Sequence, residues 1–201
     1  MPHHTPKSLG SRAALAALVL ISTAALGLSA CSSAFGETSR PDSTADLASS
    51  SETSVASAAD GYIADAEPVS IFDESLPAIA NLDPGLREAV QGAADAAADD
   101  GQELVITSGW RSAAYQQVLL DRATADYGSY EEARKWVSTP ELSAHVTGEA
   151  VDIGPLDAQF WLMEHGAEFG LCQTFANERW HFELATEPGG TCPMQRSDAA
   201  G

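Results

Sequence analysis

Basic residues are scarce in this chain of 201 residues: 10 Lys+Arg stand against 29 Asp+Glu, a formal net charge of −19. A surface that acidic repels phosphate backbones and anionic lipid, so nucleic acid is excluded as a partner class. Cysteine is scarcer still, with Cys31, Cys172 and Cys192 only. The last two are too few for a thiolate zinc site without more Cys or His nearby. Internal repeats are lacking, and nothing points to an obligate protein partner. What is present suffices for one domain: 44% of residues are hydrophobic, enough for a packed core.

The first thirty residues read as an export signal rather than as part of the fold. Lys7 and Arg12 form a basic start without any acidic residue, and an apolar run rich in Ala and Leu follows from Ala13 to Leu28. That run is too short and too Ala-rich to be preferred as a spanning helix. It ends in Leu28-Ser29-Ala30-Cys31, which resembles a bacterial lipoprotein signal, with Cys31 lipidated and new N-terminus of the mature chain. The expected location is extracytoplasmic, on the membrane through that lipid. An ordinary signal peptide with a chance cysteine and an uncleaved anchor remain the alternatives. Removing residues 1–30 removes two basic and no acidic residues, so the mature net charge is 8 − 29 = −21. Export favours a bridge between Cys172 and Cys192, which would enclose residues 173–191. A loop of that size contributes about 3 kcal/mol by restricting the unfolded chain.

Residues 31–68, rich in Ser, Thr, Ala and Asp, read as a flexible tether, since such a segment buries too little apolar surface to offset chain entropy. The domain is expected over 69–195, and a disordered tail over 196–201. Asp83-Pro84 looks like a cap and a first-position proline opening a helix to about Asp100, with Leu86, Val90, Ala93, Ala94 and Ala97 as its apolar stripe. Glu103–Thr107, Glu149–Ile153 and Trp180–Leu184 read as strands. Ala113–Asp126, Tyr130–Val137 and Asp157–Phe169 read as helices, the last closed by Gly170. Helices and short strands intermix without regular alternation, so the fold class is α+β, a compact domain with a small sheet flanked by helices.

Only His145, His165 and His181 follow residue 30, and two of them lie in polar segments. The first segment is Ser143-Ala144-His145-Val146-Thr147-Gly148-Glu149-Ala150-Val151-Asp152; the second is Glu178-Arg179-Trp180-His181. By the two-residue period of strands, Ala150 and Asp152 share a face, as do His181 and Glu183. Gly148 permits the bend that brings His145 over Asp152. Glu178 reaches the same site only if Asn177–Arg179 is a turn. Two histidines and a carboxylate with an open position are the ligand set of catalytic zinc sites, and Glu178 is then a general base. From spacing alone, a hydrogen-bonded structural histidine and a turn-capping Asp152 remain equally open readings. Trp136 and Trp161 are expected in the core, and His165 at the surface.

The forms S-x-H-x-x-G-x-A-x-D over 143–152 and E-x-W-H over 178–181, together with Ser108-Gly109-Trp110-Arg111-Ser112, resemble the VanY-type D-alanyl-D-alanine carboxypeptidases over residues 70–193. The resemblance implies the α+β fold shared with hedgehog signalling domains. It implies one zinc ion held by His145, Asp152 and His181, and Glu178 as catalytic base. Arg111 is implied beside the substrate, at its terminal carboxylate or at the developing oxyanion. Ser143 and Gln116 are further candidates for substrate hydrogen bonds, Gln116 with a solvated helix position as its alternative. The implied reaction removes the terminal D-alanine from peptidoglycan stem peptides. L,D-carboxypeptidase, dipeptidase or endopeptidase activity on the same peptides, and a non-catalytic zinc-containing wall-binding module, are the alternatives.

Overall fold

A computed structural model describes residues 56–65 and 67–200. The signal segment, Cys31 and the tether up to residue 55 lie outside the described residues. In chain order the elements are helix α1 (Pro77–Ala80), α2 (Pro84–Asp99), strand β1 (Val105–Ser108), α3 (Ala113–Tyr127), α4 (Tyr130–Ala133), α5 (Ala144–Thr147), β2 (Ala150–Gly154), α6 (Leu156–His165), β3 (Leu171–Gln173) and β4 (His181–Leu184). A 3-10 turn over Ala58–Asp60 precedes them, and another over Gly166–Phe169 extends α6. The four strands form one antiparallel sheet in the order β1-β2-β4-β3. Mixed helices around a small antiparallel sheet are the α+β architecture that the sequence pattern predicts.

Helix α2 forms where its cap and stripe place it. The Asp83 carboxylate accepts from the backbone N–H groups of Gly85 and Leu86, satisfying two donors that a helix start leaves unpaired. Leu86, Val90, Ala93, Ala94 and Ala97 are all buried. They pack in one core with Ile106, Val151, Ile153, Leu162, Leu171 and Phe182, so α2 and α6 cover the sheet's apolar face. Burying a side chain such as Leu86 or Phe182 fully contributes roughly 1.5–3 kcal/mol. The opposite face of β2 and β4 carries Asp152 and His181, which the register sets directly across from each other.

Several expectations need correction. The chain is already packed before residue 69: Ile63 is buried, and the Ser112 hydroxyl and N–H donate to the side chain and carbonyl of Asp60. The 196–201 segment is not a loose tail over its described part. Arg196 makes a bridge with Phe175, Ala199 is buried, and the Ser138 hydroxyl donates to the Ala199 carbonyl. The helix expected over 130–137 stops at Ala133. Strand β3 is too short to show a period of its own, and pairs with β4 at the sheet edge. Cys172, inside β3, is bridged to Cys192, so the link closes around the loop and strand that carry Glu178 and His181. Trp161 packs against the main core as expected, and His165 is half-buried against its ring.

Candidate active site and metal centre

Three elements bring three ligand atoms to one point. Asp152 on β2 and His181 on β4 are cross-strand partners. His145 arrives from α5, a single helical turn, which Gly148 ends at φ 79°. That left-handed conformation suits glycine, and a Cβ there would collide with the Asn81 carbonyl, so α5 sits close against the α1–α2 connection. His145 Nε2, Asp152 Oδ1 and His181 Nδ1 lie 3.2, 3.3 and 3.4 Å apart pairwise. All three residues are buried, and together they form a group able to hold a metal ion.

The spacing tests the fit. Nitrogen and oxygen ligands about 2.0–2.1 Å from a tetrahedral zinc are separated from one another by about 3.3–3.4 Å. Asp152 Oδ1 is buried and has hydrogen-bond geometry to neither ring, which leaves a lone pair aimed at the common point. Each histidine is also held from behind. His145 Nδ1 is 2.8 Å from the Gly109 carbonyl, and a carbonyl only accepts, so Nδ1 carries the proton and Nε2 presents its lone pair. His181 Nε2 is 3.0 Å from Glu183 Oε1, which likewise leaves Nδ1 for the ligand position. The donor set fits a zinc ion.

The electrostatics agree. Burial, then the charge of Arg111, hold His145 below the ordinary histidine pKa against the pull of Asp152. Burial also opposes the charged forms of Asp152 and His181, but it is outweighed at both. Attraction to the His145 and His181 rings, then to Arg111, keeps Asp152 well below the usual carboxylate range. Asp152 and Glu183 lift His181 to about 9. Asp152 is thus held ionised and His145 neutral, the forms in which both ligate, while His181 gives up its proton when it ligates.

Glu178 lies where the turn over residues 176–180 puts it, its carbonyl accepting from the His181 N–H at 3.3 Å. Its Oε2 is 3.9 Å from His181 Nδ1, and its buried Oε1 has no hydrogen-bond partner. Burial pushes this carboxyl up to about 7, against the opposing charge of His181. Arg111 sits beside the cluster. Its Nη2 donates to Asp152 Oδ2 at 2.7 Å, Nε to the Ser108 hydroxyl at 2.8 Å, and Nη1 to Gln116 Oε1 at 3.1 Å. Gln116 is fully buried rather than solvated, and its Nε2 donates to the Ser138 carbonyl. Ser143 is buried at the start of α5, where its hydroxyl makes no capping bond. Arg111, Gln116, Ser143, His145, Asp152, Glu178 and His181 all line one cleft of about 350 Å³.

Sequence reasoning missed four contributors. Glu183 had a signal, because it shares the strand face of His181. The Gly109 carbonyl had none, since any residue supplies a carbonyl. Trp136, expected in the core, is 39% exposed on the cleft wall. Arg196, placed in a disordered tail, lines the cleft as well.

The model of the VanY family, D-alanyl-D-alanine carboxypeptidase, matches residues 80–188. A D-alanyl-D-alanine carboxypeptidase of Enterococcus faecalis is 28% identical over 139 residues, covering 55% of this chain and 52% of the relative. The chain thus spans about half the length of that curated relative. Among solved structures, VanYB in complex with D-alanine-D-alanine is 28% identical, with a TM-score of 0.49 over 51% of this chain and 70% of that one. A zinc(II) complex of a vancomycin-resistance D,D-pentapeptidase VanY mutant is 26% identical, with a TM-score of 0.49 over 61% and 85%. With more than half of its length matched by one family model, the chain belongs to the VanY family of D-alanyl-D-alanine carboxypeptidases.

Proposed function

We propose that the protein is a zinc-dependent carboxypeptidase that hydrolyses the terminal D-alanine from peptidoglycan stem peptides. The observation that carries this reading is Glu178: a buried carboxyl with an unpartnered oxygen, beside three converging ligand atoms, within the family-matched stretch. His145, Asp152 and His181 would hold the ion. The chemistry zinc supplies when bound is Lewis acidity, which brings the pKa of water toward about 7 and polarises a carbonyl.

The chain's own residues do the rest. A carboxyl whose pKa is near neutrality both takes and returns a proton at working pH, so Glu178 accepts the proton of the attacking water and delivers it to the leaving amine. In balance, a C–O bond forms, the C–N bond breaks, and D-alanine departs with that proton. Arg111 has committed three of its five N–H groups to Asp152, Ser108 and Gln116, which leaves two for an anionic substrate oxygen. Gln116, with its amide used on Arg111 and Ser138, acts here as a positioning residue for that guanidinium. The Ser143 hydroxyl, without a capping role, is assigned to the substrate.

The test is a zinc-loaded preparation incubated with a pentapeptide ending in D-Ala-D-Ala, with products identified by mass. Release of single D-alanine, lost on chelation and restored by zinc, is expected; release of a dipeptide, or no cleavage at all, refutes the reading. We further infer an anchor at Cys31, supported by the Leu28-Ser29-Ala30-Cys31 pattern. A Cys31→Ala variant should then leave the membrane fraction.

A further inference from the structure

We infer that Arg196 is a second anion site of the cleft, binding a carboxylate of the peptide substrate about two residues before the scissile bond. The inference rests on the carboxypeptidase reading for the direction in which the substrate lies. Arg196 falls beyond residues 80–188, which the family model matches.

Its backbone is fastened on both sides. The Arg196 N–H donates to the Thr174 carbonyl and its own carbonyl accepts from the Ala176 N–H, each at 2.9 Å. Four residues earlier, the Cys172–Cys192 bridge ties the same segment to strand β3. The side chain is aimed as well. Its guanidinium lies 4.3 Å from the Phe175 ring centroid, and Nη2 donates to Glu183 Oε1 at 3.3 Å. That is one commitment out of five N–H groups, against three for Arg111. Exposure differs in the same sense: the side chain of Arg196 is 52% exposed and that of Arg111 13%. Contact with the Phe175 ring restrains the guanidinium without using its donors, which leaves them for paired hydrogen bonds with a carboxylate.

Position bounds how far from the ligand atoms it lies. From the ligand atom His181 Nδ1, the path to Arg196 crosses one imidazole ring, then 3.0 Å to Glu183 and 3.3 Å to Nη2. The straight-line distance is at most that path, so Arg196 lies within about two to three extended residues, at roughly 3.3–3.6 Å each, of the ligand atoms. A carboxypeptidase substrate has a single residue beyond the scissile bond, and the anionic oxygen nearest the reaction is left to Arg111, so a second carboxylate within that reach belongs to the upstream residues. Arg111, bonded to the ligand Asp152 itself, serves the anionic oxygen nearest the reaction; Arg196 serves the farther one. Glu183 faces Arg196 and already accepts from Thr174 and His181, so an incoming carboxylate binds the free N–H groups without displacing Glu183.

The experiment uses the zinc-loaded full chain and peptides ending in D-Ala-D-Ala. One series carries a side-chain carboxylate two residues before the scissile bond, a second carries it three residues before, and each has a carboxamide twin. In the parent protein, one carboxylate peptide should show a KM about three- to tenfold below its twin, with kcat unchanged within about twofold. Arg196→Ala should raise the KM of that peptide to the value of its twin, and Arg196→Lys should recover part of the difference. Equal KM values for both twin pairs in the parent overturn the inference. So does an Arg196→Ala variant that lowers kcat on every peptide or weakens zinc binding in a chelator competition, because Arg196 would then act through Glu183 and His181. If the parent cleaves none of the peptides, the carboxypeptidase reading fails separately. Calorimetric binding of the same uncleaved twins then decides the carboxylate preference by itself.

Discussion

Replacing Glu178 by glutamine should stabilise the metal-free protein, and only at the alkaline end of its pH range. The folded protein lifts this carboxyl from 4.5 to about 7, chiefly by burial. At 1.36 kcal/mol per pH unit, the gap of about 2.5 corresponds to about 3 kcal/mol. The sign follows from linkage. A carboxyl whose folded pKa is raised binds its proton more tightly in the folded than in the unfolded state, so its favourable contribution is complete below about 4.5. That contribution is lost as pH rises through about 7, because the ionised group must then be kept out of water. The residue is 5% exposed, but its carboxyl faces the cleft, so solvent screening lowers this figure and makes it an upper bound. Glutamine stays neutral throughout. The variant and the parent should therefore keep a constant stability difference near pH 4, and the variant should gain about 1–3 kcal/mol relative to the parent by pH 8. Urea unfolding with chelator present, repeated across that range, measures it. A difference that does not change with pH would refute the claim that Glu178 is held as a poised, poorly solvated acid. The expected alkaline gain, by contrast, would show that the base costs stability in the resting protein, a cost expected of a group kept for reaction.

The companion outcome is kinetic: with zinc loaded, Glu178→Gln should bind the ion like the parent, yet lose about 10²- to 10⁴-fold in kcat on D-Ala-D-Ala peptides. Glu183→Ala should raise the zinc dissociation constant about 10- to 100-fold in a chelator competition, because it removes the acceptor that turns His181 Nδ1 toward the site. Glu183→Gln, which keeps an acceptor oxygen, should lose much less. Gly148→Ala places a side chain at φ 79° against the Asn81 carbonyl. It should lower the stability by roughly 1–3 kcal/mol and weaken zinc binding through His145, read by thermal unfolding and the same competition.

The elements legible in the sequence were those whose signal is local. Asp83-Pro84 and a five-residue stripe announce α2, and alternation of Leu104 and Ile106 with Val105 and Thr107 announces β1. The requirement that Asn177–Arg179 turn follows from two functional residues three apart, and the chain does turn there. The ends of the domain were not legible. Ser57–Ile63 and Arg196–Ala200 are polar and short, and their order comes from long-range bonds to Ser112, Thr174 and Ser138, which no local pattern reveals. Trp136 misled for the related reason that a large aromatic is usually buried; here it stacks on Tyr127 with the rings 7° from parallel and lines the cleft wall.

The candidate site divides along the same line. Residue types and spacing suffice to nominate His145, Asp152, His181 and Glu178, because ligand chemistry needs imidazoles and a carboxylate, and acid–base chemistry needs another. They do not suffice to say what each residue does with its remaining atoms. Arg111 illustrates the difference: nominated as an anion clamp, it spends most of its donors on Asp152, Ser108 and Gln116. Gln116 changes from a candidate substrate contact to the residue that orients the guanidinium. A network of this kind is defined by donor and acceptor counts closed in three dimensions, so removing Gln116 should act on Arg111 before it acts on substrate. The same counting identifies the atoms left over, Glu178 Oε1, Asp152 Oδ1 and the free N–H groups of Arg196. In a buried polar site, unspent hydrogen-bonding capacity is where a water, a metal ion and a substrate can bind without first breaking the protein's own bonds.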